Sequence, residues 1–241
     1  MVDNFDRVLP LISLEHDGDI VFIEIIQRGK DIGTTGEHVI KDYHIHSKEQ
    51  LIDLKDEIIA MCNAFHARAI IRLNRCNIDV ANTLAVGELL KRDVQRKIAI
   101  CNGNKPPRIV SLTKVYGSIL GSLAQKAGDG AFGEDSEPID AAVEPKNSRK
   151  WVVDVDAPAD GTLVDIAMKW KKVIDEQCDP ITDKKGNPVG TKIITVIPSK
   201  TGLHLITKPF NKQQFGNIVG TDTNGDSFVK TSGITNLYIS D

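Results

Sequence analysis

Cysteine is scarce in this chain, aromatic side chains are few, and neither sign of charge dominates. Four cysteines (Cys62, Cys76, Cys101, Cys178) are scattered over 241 residues without a C-x-x-C pair. That argues against a zinc ribbon and against a disulfide framework, and a reduced, cytoplasmic setting fits better. No apolar run approaches ~18 residues, so no membrane-spanning helix is expected. The start, Met1-Val2-Asp3-Asn4-Phe5-Asp6, is acidic and lacks a signal-peptide pattern. Lys and Arg total 30 against 33 Asp and Glu, a formal charge of −3. A global basic excess, common in duplex-DNA binders, is therefore missing, although a local basic channel remains compatible with these totals. No internal repeat and no low-complexity tract is seen.

What is present is ordinary for a globular protein. Apolar residues make up 41% and charged residues 26%, enough for one large domain or two small ones with a real core. Asp19 to Gln27 reads as a buried strand, and Val39 to His46 as its hairpin partner after a loop with three glycines. Ser47-Lys48-Glu49-Gln50 resembles a capping box. The helix after it carries Leu51, Leu54, Ile58, Met61, Cys62 and Phe65 at helical spacing. Ala69 to Leu73 is a strand candidate. Asn82 to Ile100 reads as a helix, basic around Lys91, Arg92, Arg96 and Lys97, and Leu112 to Ala127 as a further one. Residues 1–127 thus form an N-terminal α/β module.

Residues 128–150 are rich in Gly, Glu, Asp, Pro and Ser and read as a loop or linker. A second module, 151–241, opens with the strand at Trp151. A helix capped by Asp160 would bury Leu163, Ile166, Ala167, Trp170, Val173 and Ile174. Strands follow at Thr191–Ile197, Leu203–Thr207 and Thr235–Ser240. The overall class is α/β (α+β). The order strand, helix, strand, strand, short helix, strand predicts an RRM-like, mixed or antiparallel sheet with helices on one face.

The chemistry concentrates in this second module. In Val152-Val153-Asp154-Val155-Asp156 the two carboxylates point to one face of a strand. Side by side they repel each other and are costly to desolvate. A divalent cation, Mg²⁺ or Mn²⁺, is the simplest compensation. Pro198-Ser199-Lys200-Thr201-Gly202-Leu203-His204 then sets a small polar turn before a strand. Ser199, Lys200 and Gly202 can bring backbone N–H groups and charge to a phosphate. His204 could donate to a phosphate oxygen or orient a carboxylate. Lys208 would share its strand face. Asp226, in Asn224-Gly225-Asp226-Ser227, could supply a third carboxylate, with Asp222 a nearby substitute and Asp241 a more distant one. Arg72 and Arg75 could touch template phosphates. His44 and His46 share a strand face but lack an obvious third metal ligand.

Taken in order, Asp154-x-Asp156, Ser199 to His204 and Asp226 resemble the three motifs of the archaeo-eukaryotic primase superfamily. The run Thr201-Gly-Leu-His-Leu-Ile-Thr-Lys-Pro-Phe210 is similar to small primase-like proteins of phages. The resemblance covers about residues 150–241. It implies a two-metal nucleotidyltransferase that makes or extends primers on a single-stranded DNA template. Asp154, Asp156 and Asp226 would hold Mg²⁺ or Mn²⁺. Ser199, Lys200, Gly202, His204 and Lys208 would grip the nucleoside triphosphate. A replicative helicase is a possible partner, a membrane is not, and the setting would be the cytoplasm, the host's if phage-encoded. Two other readings stay open: a non-catalytic single-strand or replisome-binding protein, and a metal-dependent phosphodiesterase or nuclease.

Overall fold

The computed structural model describes residues 1–33, 35–107, 119, 148–156, 162–221 and 227–241. Apart from residue 119, the helix expected at Leu112 to Ala127 falls outside this set, as do residues 128–147 of the linker expected at 128–150.

The first sheet is built on β2 (Asp19–Arg28), whose first eight residues are all buried. A strand covered on both faces needs no polar alternation, and Ile-Val-Phe-Ile-Glu-Ile-Ile has almost none. It pairs antiparallel with β3 (Glu37–Ile45) on one side and β4 (Arg68–Arg72) on the other. The short β5 (Cys76–Asn77) joins its beginning. One face packs on α1 (Phe5–Val8), α2 (Lys48–Asp53) and α3 (Lys55–Ala64) through Ile23, Ile25, Ile58, Cys62 and Ile71. The expected capping signal is realised. Ser47 Oγ accepts from Gln50 N at 3.1 Å, and Gln50 Oε1 accepts from His46 N at 2.7 Å. The opposite face is partly covered by α4 (Ile78–Cys101), where Ala81 and Ala85 meet Ile20 and Phe22.

The second sheet is formed by β6 (Trp151–Asp156), β7 (Ile193–Pro198), β8 (Gly202–Thr207) and β9 (Val229–Lys230), in the order β7-β8-β6-β9. With α5 (Leu163–Gln177) after β6 and α6 (Lys212–Val219) after β8, this is the β-α-β-β-α-β topology with antiparallel neighbours. The α/β class holds. Trp151, Val153, Val155 and Leu205 face α5 and α6, so the helices lie on one face, as expected. Thr162, rather than Asp160, caps α5, its side chain accepting from Asp165 N.

One expectation fails. The strand assigned to the end of the second sheet, β10 (Ile234–Ile239), belongs to the first sheet, between β1 (Val2–Asp3) and β4. The fourth strand of the second sheet is instead β9. The physical reason lies in burial: Thr235 through Ile239 are all buried, which suits an interior strand rather than the half-wet edge of a small sheet. The second module therefore does not run to residue 241, because its last strand returns to the first sheet.

That return ties the sheets together. Val152, Ile197 and Ile206 of the second sheet share one apolar core with Ile71, Leu237 and Tyr238 of the first. Asn4, fully buried, donates from Nδ2 to Pro198 O and Asn236 O, both at 3.0 Å. Asn74 and Lys150 exchange two hydrogen bonds at 2.8 and 2.9 Å. Gly233, at φ +70°, lies against this pair. A Cβ there would come within 2.7 Å of Asn74 Nδ2 and 2.8 Å of Lys150 O, so only glycine suits the turn.

Candidate functional site

The inner face of the second sheet and the uncovered end of the first enclose a cleft of about 800 Å³. Strand alternation decides what each wall presents. From β6 and β8 come Val152, Asp154, Asp156 and His204, and from the β7–β8 turn Ser199, Lys200 and Thr201. From the first sheet come Ile26, Arg28, Arg68, Ile70, Ile234 and Asn236. Lys230 of β9, Ser232, Asp31 and Glu37 complete the lining.

Asp154 stands directly opposite His204 in the β6–β8 register, and Asp156 opposite Gly202. His204 Nε2 lies 3.4 Å from Asp154 Oδ1, and Nδ1 lies 2.8 Å from the Thr235 hydroxyl. Thr235 is buried on β10. When its hydroxyl donates to Nδ1, Nε2 carries the ring proton and presents it to the carboxylate. The first sheet thus fixes the ring that addresses an acid on the second.

Gly202 serves a backbone need. A Cβ at this position would sit 2.1 Å from Val155 O, so only glycine lets the turn close onto β6. Ser199 closes the same turn. Its Oγ accepts from Gly202 N at 3.0 Å, and its own N–H donates to Gly202 O at 3.0 Å. Lys200 and Thr201 are left at the tip, facing the cleft.

Asp154 and Asp156 share one face of β6, their Cα atoms about 7 Å apart by strand geometry. No group of three or more Asp, Glu, His or Cys side chains able to hold a metal ion is found among the described residues. Mg²⁺ commonly binds through one or two carboxylates and completes its shell with water and substrate phosphates. Two hard oxygen donors on the wall of an open cleft fit that pattern. Asp226 and Asp222 lie outside the described residues. Asp241 lines a different cavity from the one that holds the acid pair.

Other expected site residues are placed elsewhere. Arg75 is a buried structural cation: its Nη1 donates to Asp19 at 2.8 Å, with side chains 3% and 1% exposed. Arg72 is likewise turned inward, onto Glu24 at 3.3 Å. Neither lines the cleft. Burial raises the Glu24 carboxyl above its usual range, an effect Arg72 only partly offsets. Lys208 follows the end of β8 and is absent from the cleft lining. His44 is half-buried, its ring 5.3 Å from that of Phe22 and its Nε2 3.9 Å from Asp42, and burial lowers its pKa.

Sequence reading missed the basic side of the cleft. Arg68 donates from Nε and Nη2 to both oxygens of Asp31, at 2.8 and 2.7 Å. Arg28 pairs with Glu37 at 3.4 Å. Lys230 reaches the acid side from β9, next to Val152 in register. Burial pushes the Asp31 carboxyl up, but Arg68, Lys200 and Arg28 together outweigh it and hold the carboxyl below its ordinary value. Arg28, Arg68 and Lys230 come from three separate strands, so no local motif announces them, whereas Lys200 belongs to the turn already singled out. No protein-family model, no curated protein and no solved structure matches the chain. Among the described residues, no helix is long and apolar enough to cross a membrane.

Proposed function

We propose that the cleft binds a nucleoside triphosphate and the end of a nucleic-acid strand, and that the protein is a primase-like nucleotidyltransferase acting on single-stranded templates. The observation that carries this reading is the alignment of Asp154, Asp156 and His204 on one sheet face, opposite a wall that supplies Arg28 and Arg68. An acid pair facing cations across one cleft suits a ligand that brings both a metal ion and phosphates.

In this reading Asp154 and Asp156 hold Mg²⁺ or Mn²⁺. A bound ion of this kind lowers the pKa of an attacking hydroxyl and neutralises phosphate charge. His204, fixed by Thr235, keeps the Asp154 carboxylate oriented. Lys200 and Lys230 flank the acids and attract the triphosphate. Ile70, Ile234 and Val152 supply an apolar floor on which a base or sugar can rest. The proposed setting is the cytoplasm.

The test is primer extension and de novo initiation on a single-stranded template, with labelled nucleotides and Mn²⁺. The parent chain is expected to yield template-length products, and Asp154→Ala with Asp156→Ala to yield none. Equal single-strand binding without synthesis by either protein would replace this reading with a binding role. Template cleavage by the parent alone would replace it with hydrolysis by the same acids.

A further inference from the structure

We propose that Arg68 and Lys200 form a phosphate-binding subsite, and that the Asp31 carboxylate occupies it as an internal stand-in for the ligand. The inference rests on reading the cleft as a place for phosphates, but not on catalysis.

Three features separate this contact from an ordinary structural ion pair. The first is composition. One carboxylate faces a bidentate Arg68 fork at 2.7 and 2.8 Å, Lys200 Nζ at 3.6 Å and the field of Arg28. Arg28 also faces Glu37 at 3.4 Å, so two carboxylates stand among three cations and one positive charge is left over. A phosphate carries more charge, and its oxygens match the same guanidinium fork.

The second feature is access. Asp31, Arg68 and Lys200 line both the main cleft and a second cavity of about 290 Å³. The contrast is with Arg75–Asp19, sealed at 3% and 1% exposure, and with Arg72–Glu24, neither of which lines either cavity.

The third feature is origin. Asp31 ends the short 3₁₀ turn Gly29–Asp31 after β2, Arg68 opens β4, and Lys200 tips the β7–β8 turn of the other sheet. Asp31 therefore bridges the two walls where a bound phosphate would bridge them. Displacing its carboxylate exchanges one anion for another on the same donors, so ligand entry leaves no buried cation without a counter-charge.

The experiment measures binding of inorganic tripolyphosphate in EDTA, where no divalent ion contributes, by calorimetry. Asp31→Asn keeps a hydrogen-bond acceptor and removes the charge. It is expected to bind tripolyphosphate at least tenfold more tightly than the parent, and Asp31→Asn with Arg68→Gln is expected to lose that gain. A parallel arm uses an oligothymidylate without terminal phosphates. A gain confined to tripolyphosphate assigns the subsite to a nucleotide tail. A gain confined to the oligonucleotide assigns it to strand phosphodiesters. Unchanged or weaker binding of both by a folded Asp31→Asn chain overturns the proposal.

A second measurement needs no variant. The Arg68 Nε–H resonance of the parent is expected to shift as tripolyphosphate or the oligonucleotide replaces Asp31, and an unmoved resonance at saturation of both overturns the proposal. Failure here with intact Mn²⁺-dependent synthesis would leave the proposed function standing. Success here without synthesis would remove catalysis alone.

Discussion

The two walls of the cleft handle charge in opposite ways. On the first-sheet side the two acids that line the cleft stand against cations: Asp31 with Arg68 and Glu37 with Arg28. On the second sheet Asp154 and Asp156 take consecutive positions on one face of β6, so like charges are neighbours. Opposite-charge pairing within a wall serves the fold, because a buried charge without a partner is costly. Like-charge neighbours work against the fold and make sense when something external supplies the compensation. The difference supports the proposed function, in which one wall is scaffold and the other is the seat of chemistry.

Substitutions can break this comparison. The largest effect is expected for Asp154→Asn with Asp156→Asn, which should lower the rate of strand extension by about 10³-fold or more. The same change should leave thermal stability equal or slightly higher, since it removes repulsion. A large loss of stability would mean that the acids belong to the scaffold. Arg75→Ala should do the reverse. It takes the counter-charge from the buried Asp19 carboxylate, leaving it the backbone N–H groups of Glu15 and His16, and should cost about 3–5 kcal/mol in denaturant unfolding, while the folded fraction keeps its single-strand affinity.

Thr235→Val sharpens the link between the walls. It removes the hydroxyl partner of His204 Nδ1 and should weaken Mn²⁺ binding by about tenfold, in the range usual for a lost outer partner. An unchanged metal affinity would leave His204 as a spectator. A smaller effect concerns acid. The Asp31 carboxyl is held below its ordinary value, so its pairing stabilises the fold above the unfolded pKa and is lost as pH falls through the folded one. Melting curves below about pH 4 should therefore fall more steeply for the parent than for Asp31→Asn. Least intrusive is thiol labelling at neutral pH. Cys62 and Cys76, both pushed up to about 12 by burial, should stay unmodified while exposed Cys101 reacts.

Much of the fold was legible from local pattern. The continuous apolar run of β2, the Ser47 cap and the apolar stripe of α5 are each encoded in a few adjacent residues. The alternation in Val152–Asp156 correctly put both acids on one face, and the Gly202 turn placed His204 opposite Asp154. What escaped reading depends on partners far away in the chain. Ile234–Ile239 looks like any short strand until its neighbours β1 and β4 are known. Arg72 and Arg75 resemble surface cations, yet their counter-charges Glu24 and Asp19 lie 48 and 56 residues earlier. Arg68 and Lys230 reach the cleft only through strand pairing, so their role has no signature in sequence.

The central claim is that the acid pair on β6 is a cation site opened toward phosphates. Its most direct test is an electron paramagnetic resonance titration of Mn²⁺, with and without a nucleoside triphosphate. The parent chain should bind Mn²⁺, more tightly with the triphosphate present, and the chain with Asp154→Asn and Asp156→Asn should lose that binding. Equal Mn²⁺ binding by the two folded chains would contradict the claim.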